Sequence, residues 1–150
     1  MISPDYPHDS SQEIRVSAND LRQLAVDLLV DKKMYEYDAE TAADRLIEAD
    51  VRGIQSHGTR ALPRYLDAID VGDIDPRAKV LTVNETPAIG VLDGGRAIGH
   101  VAATKGMQLA IAKAREVGTG TVAVKNSQHY GAASVYTLMA VAEGMIGYAT

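Results

Sequence analysis

Two histidines stand among neighbours suited to proton chemistry. His57 lies in Ala49-Asp50-Val51-Arg52-Gly53-Ile54-Gln55-Ser56-His57-Gly58-Thr59-Arg60-Ala61-Leu62-Pro63-Arg64-Tyr65, where Arg52, Arg60 and Arg64 crowd around two expected helix ends. His129 lies in Val122-Ala123-Val124-Lys125-Asn126-Ser127-Gln128-His129-Tyr130-Gly131-Ala132-Ala133, where a β-branched apolar run gives way to small polar residues and then to a helical pattern. Imidazole changes charge between about pH 5 and 8, so it can exchange a proton near neutrality. At a strand-to-helix junction, the unpaired N–H groups and partial positive charge of a helix N-terminus bias the ring toward its neutral form and favour an anion beside it. The same histidine could equally do no more than cap a loop. For the arginines, a guanidinium fork matches a carboxylate bidentately. The competing arrangement pairs them with Asp50, Asp67 and Asp70 on a solvated face.

The elements that must hold these residues can be read from cap residues and periodicity. Residues 1–16 are polar, carry Pro4 and Pro7 without periodicity, and read as a flexible arm. Residues 17–76 form a helical N-terminal segment. Its first helix starts at Ser17, with Asp20 facing the free amides and Leu21, Leu24, Ala25, Leu28 and Leu29 as the buried stripe. A second helix starts at Asp38-Ala39-Glu40 and runs to Val51, with Gly53 as its stop. Ser56 is the expected N-cap of a short third helix carrying Leu62, Leu66 and Ile69, with Pro63 in its first turns. From residue 77 the period changes. Val80, Leu81 and Val83, then Ile89, Val91 and Leu92, predict a hairpin around Asn84-Glu85-Thr86-Pro87. Gly94-Gly95 is the expected turn into a long helix with Ala103, Met107, Ala110, Ile111, Ala114 and Val117 inward. Next come a strand at Thr121–Val124, a helix on Ala132, Val135, Tyr136, Met139 and Ala140, and a last strand over Met145–Thr150. The order β-β-α-β-α-β predicts an α/β fold, a mixed sheet flanked by helices, over residues 77–150.

Composition removes several classes of function. A net charge of −5 provides no basic footprint for nucleic acid or an anionic membrane. With no cysteine, thiolate nucleophiles, disulfide frameworks and cysteine zinc sites are excluded. No apolar run is long enough to span a bilayer and the N-terminus lacks a signal-peptide core, so a cytoplasmic protein is expected. Gly118-Thr119-Gly120-Thr121-Val122-Ala123 spells half of a dinucleotide fingerprint, but it follows a helix and opens a strand, the reverse of the order that binds pyrophosphate. Gly95 to Gly99 lacks the Lys and Ser/Thr of a phosphate loop. His8 and His100 are not spaced as ligands beside His57 and His129, so no metal site is expected.

Taken together, the two histidine stretches resemble a known family. Arg52-Gly53-Ile54-Gln55-Ser56-His57-Gly58 followed by Leu62-Pro63-Arg64-Tyr65 is similar to the R-G-x-x-S-H-G…L-P-x-Y motif of the malate/L-lactate dehydrogenase family, which also contains sulfolactate, ureidoglycolate and diketogulonate oxidoreductases. Ala97-Ile98-Gly99-His100, the Gly106-Met107 helix and Asn126-Ser127-Gln128-His129-Tyr130-Gly131-Ala132-Ala133 with Tyr136 continue the likeness in order, from about residue 17 to the end. The resemblance implies a non-Rossmann, sulfolactate-dehydrogenase-like fold. It also implies a homodimer, NAD or NADP as cofactor, and hydride transfer between nicotinamide and a small 2-hydroxy or 2-oxo acid of the malate, lactate or sulfolactate class. His129 matches the proton acceptor described in the ureidoglycolate members and His57 the proton donor described in the diketogulonate members. Ser56, Arg60, Tyr65 and Arg52 are the implied substrate-binding residues. The family's arginine four residues after the histidine is Ala61 here, and Arg60 stands one place earlier, a turn of roughly 100° on a helix. Arg52 or Arg64 is the alternative carboxylate partner. Family members are roughly twice this length or longer, which implies a truncated chain whose cofactor-binding residues lie mostly beyond Thr150. The other reading is a non-catalytic α/β fragment that only dimerises or binds a partner.

Overall fold

The computed structural model describes residues 14–150, so most of the expected 1–16 arm, with His8, lies outside the described residues. Three helices come first: α1 (Ala18–Asp31), α2 (Glu36–Val51) and α3 (Leu62–Asp70). Ser17 caps α1 as expected, its hydroxyl accepting the Asp20 N–H. The buried stripe of α1 differs from the expected one. Ala25, Val26 and Leu29 are buried, whereas Leu24 is 53 % exposed and Leu28 37 %. Ala25, Val26 and Leu29 share one core with Ala39, Ala42, Ala43 and Leu46 of α2, and Leu24 and Leu28 lie outside it.

Helix α2 begins two residues before the expected start, with Glu36 and Asp38 in its first turn complementing the helix dipole. It ends as predicted, with Gly53 in the left-handed region at φ +76° and the Ile54 N–H returning to the Ala49 carbonyl. Ser56 is not a helix cap. Residues Gln55–His57 and Thr59–Ala61 form two short 3₁₀ turns, and α3 starts only at Leu62 with Pro63 in its first turn. The Asp50 carboxylate explains the delay: it accepts both the Thr59 N–H, at 2.9 Å, and the Thr59 hydroxyl, at 2.6 Å, folding the chain back onto the end of α2.

The α/β part contains β1 (Leu81–Glu85), β2 (Ile89–Ala97), α4 (Gly99–Val117), β3 (Thr121–Ser127) and α5 (Ala133–Ala142). The hairpin is present: β1 and β2 are antiparallel from Leu81–Asp93 to Glu85–Gly90, and β2 and β3 are parallel from Ile89–Thr121 to Ala97–Ser127. A parallel pair needs a crossover, which α4 provides. The sheet is mixed, in the order β1-β2-β3, and the chain has an α/β fold. Gly94-Gly95 does not turn the chain out of the sheet. Both lie within β2, where the register with β3 slips between Asp93 and Ala97 and the Asp93 carboxylate accepts the Gly95 N–H at 2.9 Å. The bulge absorbs the glycines and carries the strand on to Ala97.

Met145–Thr150 forms no strand: Ile146 and Tyr148 are fully or largely exposed, and an apolar run without a hydrogen-bonded neighbour has nothing to hold it extended. Along α4 the most buried residues include His100, Val101, Ala102, Thr104 and Ile111. The expected Ala103, Met107, Ala110 and Ala114 are half-buried along an open groove, and Val117 is exposed. One core joins α1, α2 and α3 to Ile98, just before α4, and to Val101 of α4; another joins Ala49 of α2 to Val135 and Tyr136 of α5. Helix α2 therefore contacts both parts of the chain, and the segments leaving α2 and β3 meet above it.

Candidate active site

The meeting point holds both histidines. Their rings stack with centroids 5.5 Å apart and planes 30° from parallel. His57 comes from the first 3₁₀ turn and its Nδ1 lies 2.9 Å from the Ser56 hydroxyl. His129 comes from the 128–132 turn, four residues before α5. Its Nδ1 lies 2.9 Å from the Tyr65 hydroxyl and 3.3 Å from the Gly131 backbone nitrogen. A backbone N–H can only donate, so Nδ1 must be the acceptor, and the neutral ring carries its proton on Nε2. Burial lowers the proton affinity of His129 below the ordinary value, and the charges of Arg64 and His57 lower it further. The expected bias toward the neutral form is thus present, with desolvation as its main cause.

Tyr65 projects from α3, is buried, and has its ring 6.3 Å from that of His129 at 24°. Burial raises the proton affinity of its phenol, while the hydrogen bond and charge of Arg64 act against that rise. Arg64 lies with its guanidinium carbon 5.4 Å from the Tyr65 ring centre. Among the arginines singled out by sequence, Arg64 is the one whose charge reaches Tyr65 and His129. Arg52 sits at the end of α2 and pairs at 3.1 Å with Glu48, which also holds Arg45. Arg60 is exposed in the second 3₁₀ turn. Ser56 touches His57 rather than capping a helix.

His100, which its spacing in the sequence does not group with His57 and His129, belongs to this cluster. It is 1 % exposed and meets the Tyr65 ring edge-on, with centroids 5.0 Å apart. Its signal in the sequence was the Gly99-His100 pair at the start of α4, a buried helix end that an apolar residue would ordinarily occupy. Behind the cluster, the Tyr136 hydroxyl donates to the Tyr130 carbonyl and burial raises its proton affinity strongly. Chemically, the arrangement offers an imidazole with one proton on Nε2, a phenol donating to its other nitrogen, and a guanidinium beside both.

No group of three or more His, Asp or Glu side chains among the described residues is arranged to hold a metal ion. No helix among them is long and apolar enough to cross a membrane. A groove of about 1020 Å³ runs between α4, β3 and residues 145–150. Its lining includes Gly99, Ala103, Met107, Val122, Gln128 and Tyr130 and contains no lysine or arginine. The two pyrophosphate charges of a nicotinamide dinucleotide would therefore find no side-chain cation in the lining of this groove.

The family model for malate/L-lactate dehydrogenase matches residues 16–150. Malate dehydrogenase of Pyrococcus abyssi is 46 % identical over 134 residues, covering 89 % of this chain and 37 % of that protein. L-sulfolactate dehydrogenase of Methanocaldococcus jannaschii is 40 % identical over 126 residues, covering 84 % of this chain and 37 % of the relative. The solved structure of malate dehydrogenase from Pyrococcus horikoshii OT3 superposes with a TM-score of 0.85 at 40 % identity, covering 87 % of this chain and 38 % of the other. The chain therefore spans less than two fifths of the length of these relatives.

Proposed function

Because the chain belongs to the malate/L-lactate dehydrogenase family, we propose that it supplies the substrate-binding and proton-exchanging half of an oxidoreductase that interconverts a small 2-hydroxy acid and its 2-oxo acid. The nicotinamide partner is NAD or NADP. The observation that carries this reading is the Tyr65–His129 hydrogen bond with His57 stacked beside it. Reduction of a 2-oxo acid requires a proton at the oxygen that becomes the hydroxyl. His129 delivers it from Nε2, and Nδ1 takes the phenol proton of Tyr65 in return; burial opposes the phenolate this leaves, and the hydrogen bond and charge of Arg64 offset part of that cost. In the direction of oxidation the same protons move back, from the substrate hydroxyl to Nε2 and from Nδ1 to Tyr65.

Arg64 is also the proposed carboxylate partner, since its charge already acts on His129 and the family's arginine position is Ala61 here. Arg60 and Ser56, on the two 3₁₀ turns, line the approach to His57 in this reading. The assembled side chains support an enzyme rather than a fragment that only binds a partner. The motif resemblance also supports a cytoplasmic homodimer, whose mass analytical ultracentrifugation would report.

The test follows the reduced-nicotinamide absorbance with malate, lactate, sulfolactate and their 2-oxo forms, using NAD and NADP in turn. In parallel, a 2-oxo acid is titrated into the chain while the His129 and Tyr65 resonances are recorded. Turnover of one of these acids, or acid-dependent shifts at both residues that Arg64→Ala abolishes, supports the reading. No turnover together with no shift at either residue overturns it.

A further inference from the structure

His100 has no part in the proton path above, yet its surroundings are unusually constrained. A Cβ on Gly131 would stand 2.7 Å from His100 Nε2, and a Cβ on the neighbouring Gly99 would overlap the carbonyl oxygens of Gln128 and His129. The first turn of α4 is therefore seated directly against the backbone that carries His129. On its other side the same imidazole meets the Tyr65 ring edge-on at 5.0 Å. Tyr65 and His129 belong to segments 64 residues apart whose hydrogen bond depends on where those segments come to rest. His100 touches both.

Neither ring nitrogen of His100 meets a protein hydrogen-bond partner. An apolar side chain of similar volume would fill the space without desolvating two nitrogens. A flat ring, however, offers a thin edge to Tyr65 and a narrow tip to Gly131, which branched aliphatic side chains do not. The charged or titratable groups that act on it are His129, Arg45 of α2, Arg64 of α3 and His57 of the 3₁₀ turn, and with burial they keep its ring uncharged.

We propose that His100 is a positioning residue: wedged between the Tyr65 ring and the 128–131 turn, it sets the distance at which the Tyr65 hydroxyl meets His129 Nδ1. Its consequence for turnover rests on the proton-exchange role proposed for His129, but the contact itself does not.

The test is therefore spectroscopic and uses the 150-residue chain without substrate. Histidine side-chain ¹H–¹⁵N spectra are recorded across a pH series for the parent, His100→Ala, Tyr65→Phe and the double variant. In the parent, His129 shows a proton on Nε2 and an acceptor Nδ1. With His100→Ala, the Nδ1 resonance moves toward that of a free imidazole and the His129 titration midpoint rises toward the ordinary value. In the Tyr65→Phe background the same substitution produces no further movement, because the contact it acts through is already gone. Should His100→Ala fail to fold, His100→Gln carries the test, since glutamine has comparable volume but no rigid edge and should shift His129 in the same direction. Unchanged His129 signals in a folded variant overturn the proposal, as do shifts equally large with and without the Tyr65 hydroxyl. Loss of melting temperature alone, with His129 unmoved, counts against it in the same way. A catalytic null result in the oxidoreductase assay would leave these spectra unaffected, so the two readings fail separately.

Discussion

Replacing His100 should make the fold less sensitive to acid, by an amount that follows from its burial. In the native state this imidazole has its pKa pushed from the ordinary 6.5 down to about 3, first by desolvation and then by the charges of His129, Arg45, Arg64 and His57. A histidine in the unfolded chain recovers the ordinary value. Between those two pH values the unfolded chain binds a proton that the native protein refuses, so stability is fully present above about pH 6.5 and is lost as the pH falls toward 3. A tenfold difference in proton affinity is worth about 1.4 kcal/mol, so this one residue removes about 2 kcal/mol at pH 5 and about 3 kcal/mol at pH 4. A domain of this size is held by about 5–15 kcal/mol in all, so the loss is a substantial fraction. Urea unfolding followed by circular dichroism, for the parent and His100→Gln at pH 7, 6, 5 and 4, isolates the effect. Titrating groups away from His100 contribute nearly equally to both proteins and cancel in the difference, whereas a rise of His129 toward the ordinary value in the variant adds to the effect in the same direction. The difference curve should be flat near pH 7 and favour the variant by about 2 kcal/mol more at pH 5 than at pH 7. Parallel curves over the whole range would show that His100 is not held uncharged by burial.

The remaining expectations concern its neighbours. Under the proposed 2-hydroxy acid chemistry, His129→Ala should lower kcat by about 10²–10⁴, the usual range for a lost general acid or base, and retained turnover would remove it from that role. Arg64→Ala should raise KM for the acid more than it changes kcat, and because the Arg64 charge depresses His129, the His129 titration midpoint should move upward. Gly58→Ala should cost roughly 1–3 kcal/mol by overpacking, since a Cβ there would overlap the Asp50 carboxylate. That cost should shrink when Asp50 is also replaced by alanine, and additive effects in urea unfolding would contradict the clash.

Several features of the chain were legible residue by residue. The Ser17 cap, the Gly53 stop, the placement of Pro63, the hairpin around Asn84–Pro87 and the helix on Val135, Tyr136 and Ala140 each follow from rules acting over a few residues. His57, Tyr65 and His129 could be picked out by type and by the residues flanking them. Local reading failed where a distant group competes with a local preference. Ser56 is a good cap by composition, but the Asp50 carboxylate reaches across nine positions to hold Thr59 and turns the segment into 3₁₀ structure instead. Gly94-Gly95 reads as a turn, but pairing with β3 and the Asp93 carboxylate keep both residues in the sheet.

The site itself is a product of packing. Helix α2 abuts both α1 and α5, and that double contact brings a 3₁₀ turn and the 128–132 turn to within a ring-stacking distance of each other. The same packing buries His100 between Tyr65 of α3 and the 128–131 turn and puts the charge of Arg64, rather than that of Arg52, on His129. Caps, stops and periodicity depend on neighbours along the chain, so the sequence by itself determined them. Which rings touch, which nitrogen accepts and which charge is felt depend on distances through space between segments as many as 72 residues apart, such as His57 and His129, and only the tertiary structure decided those.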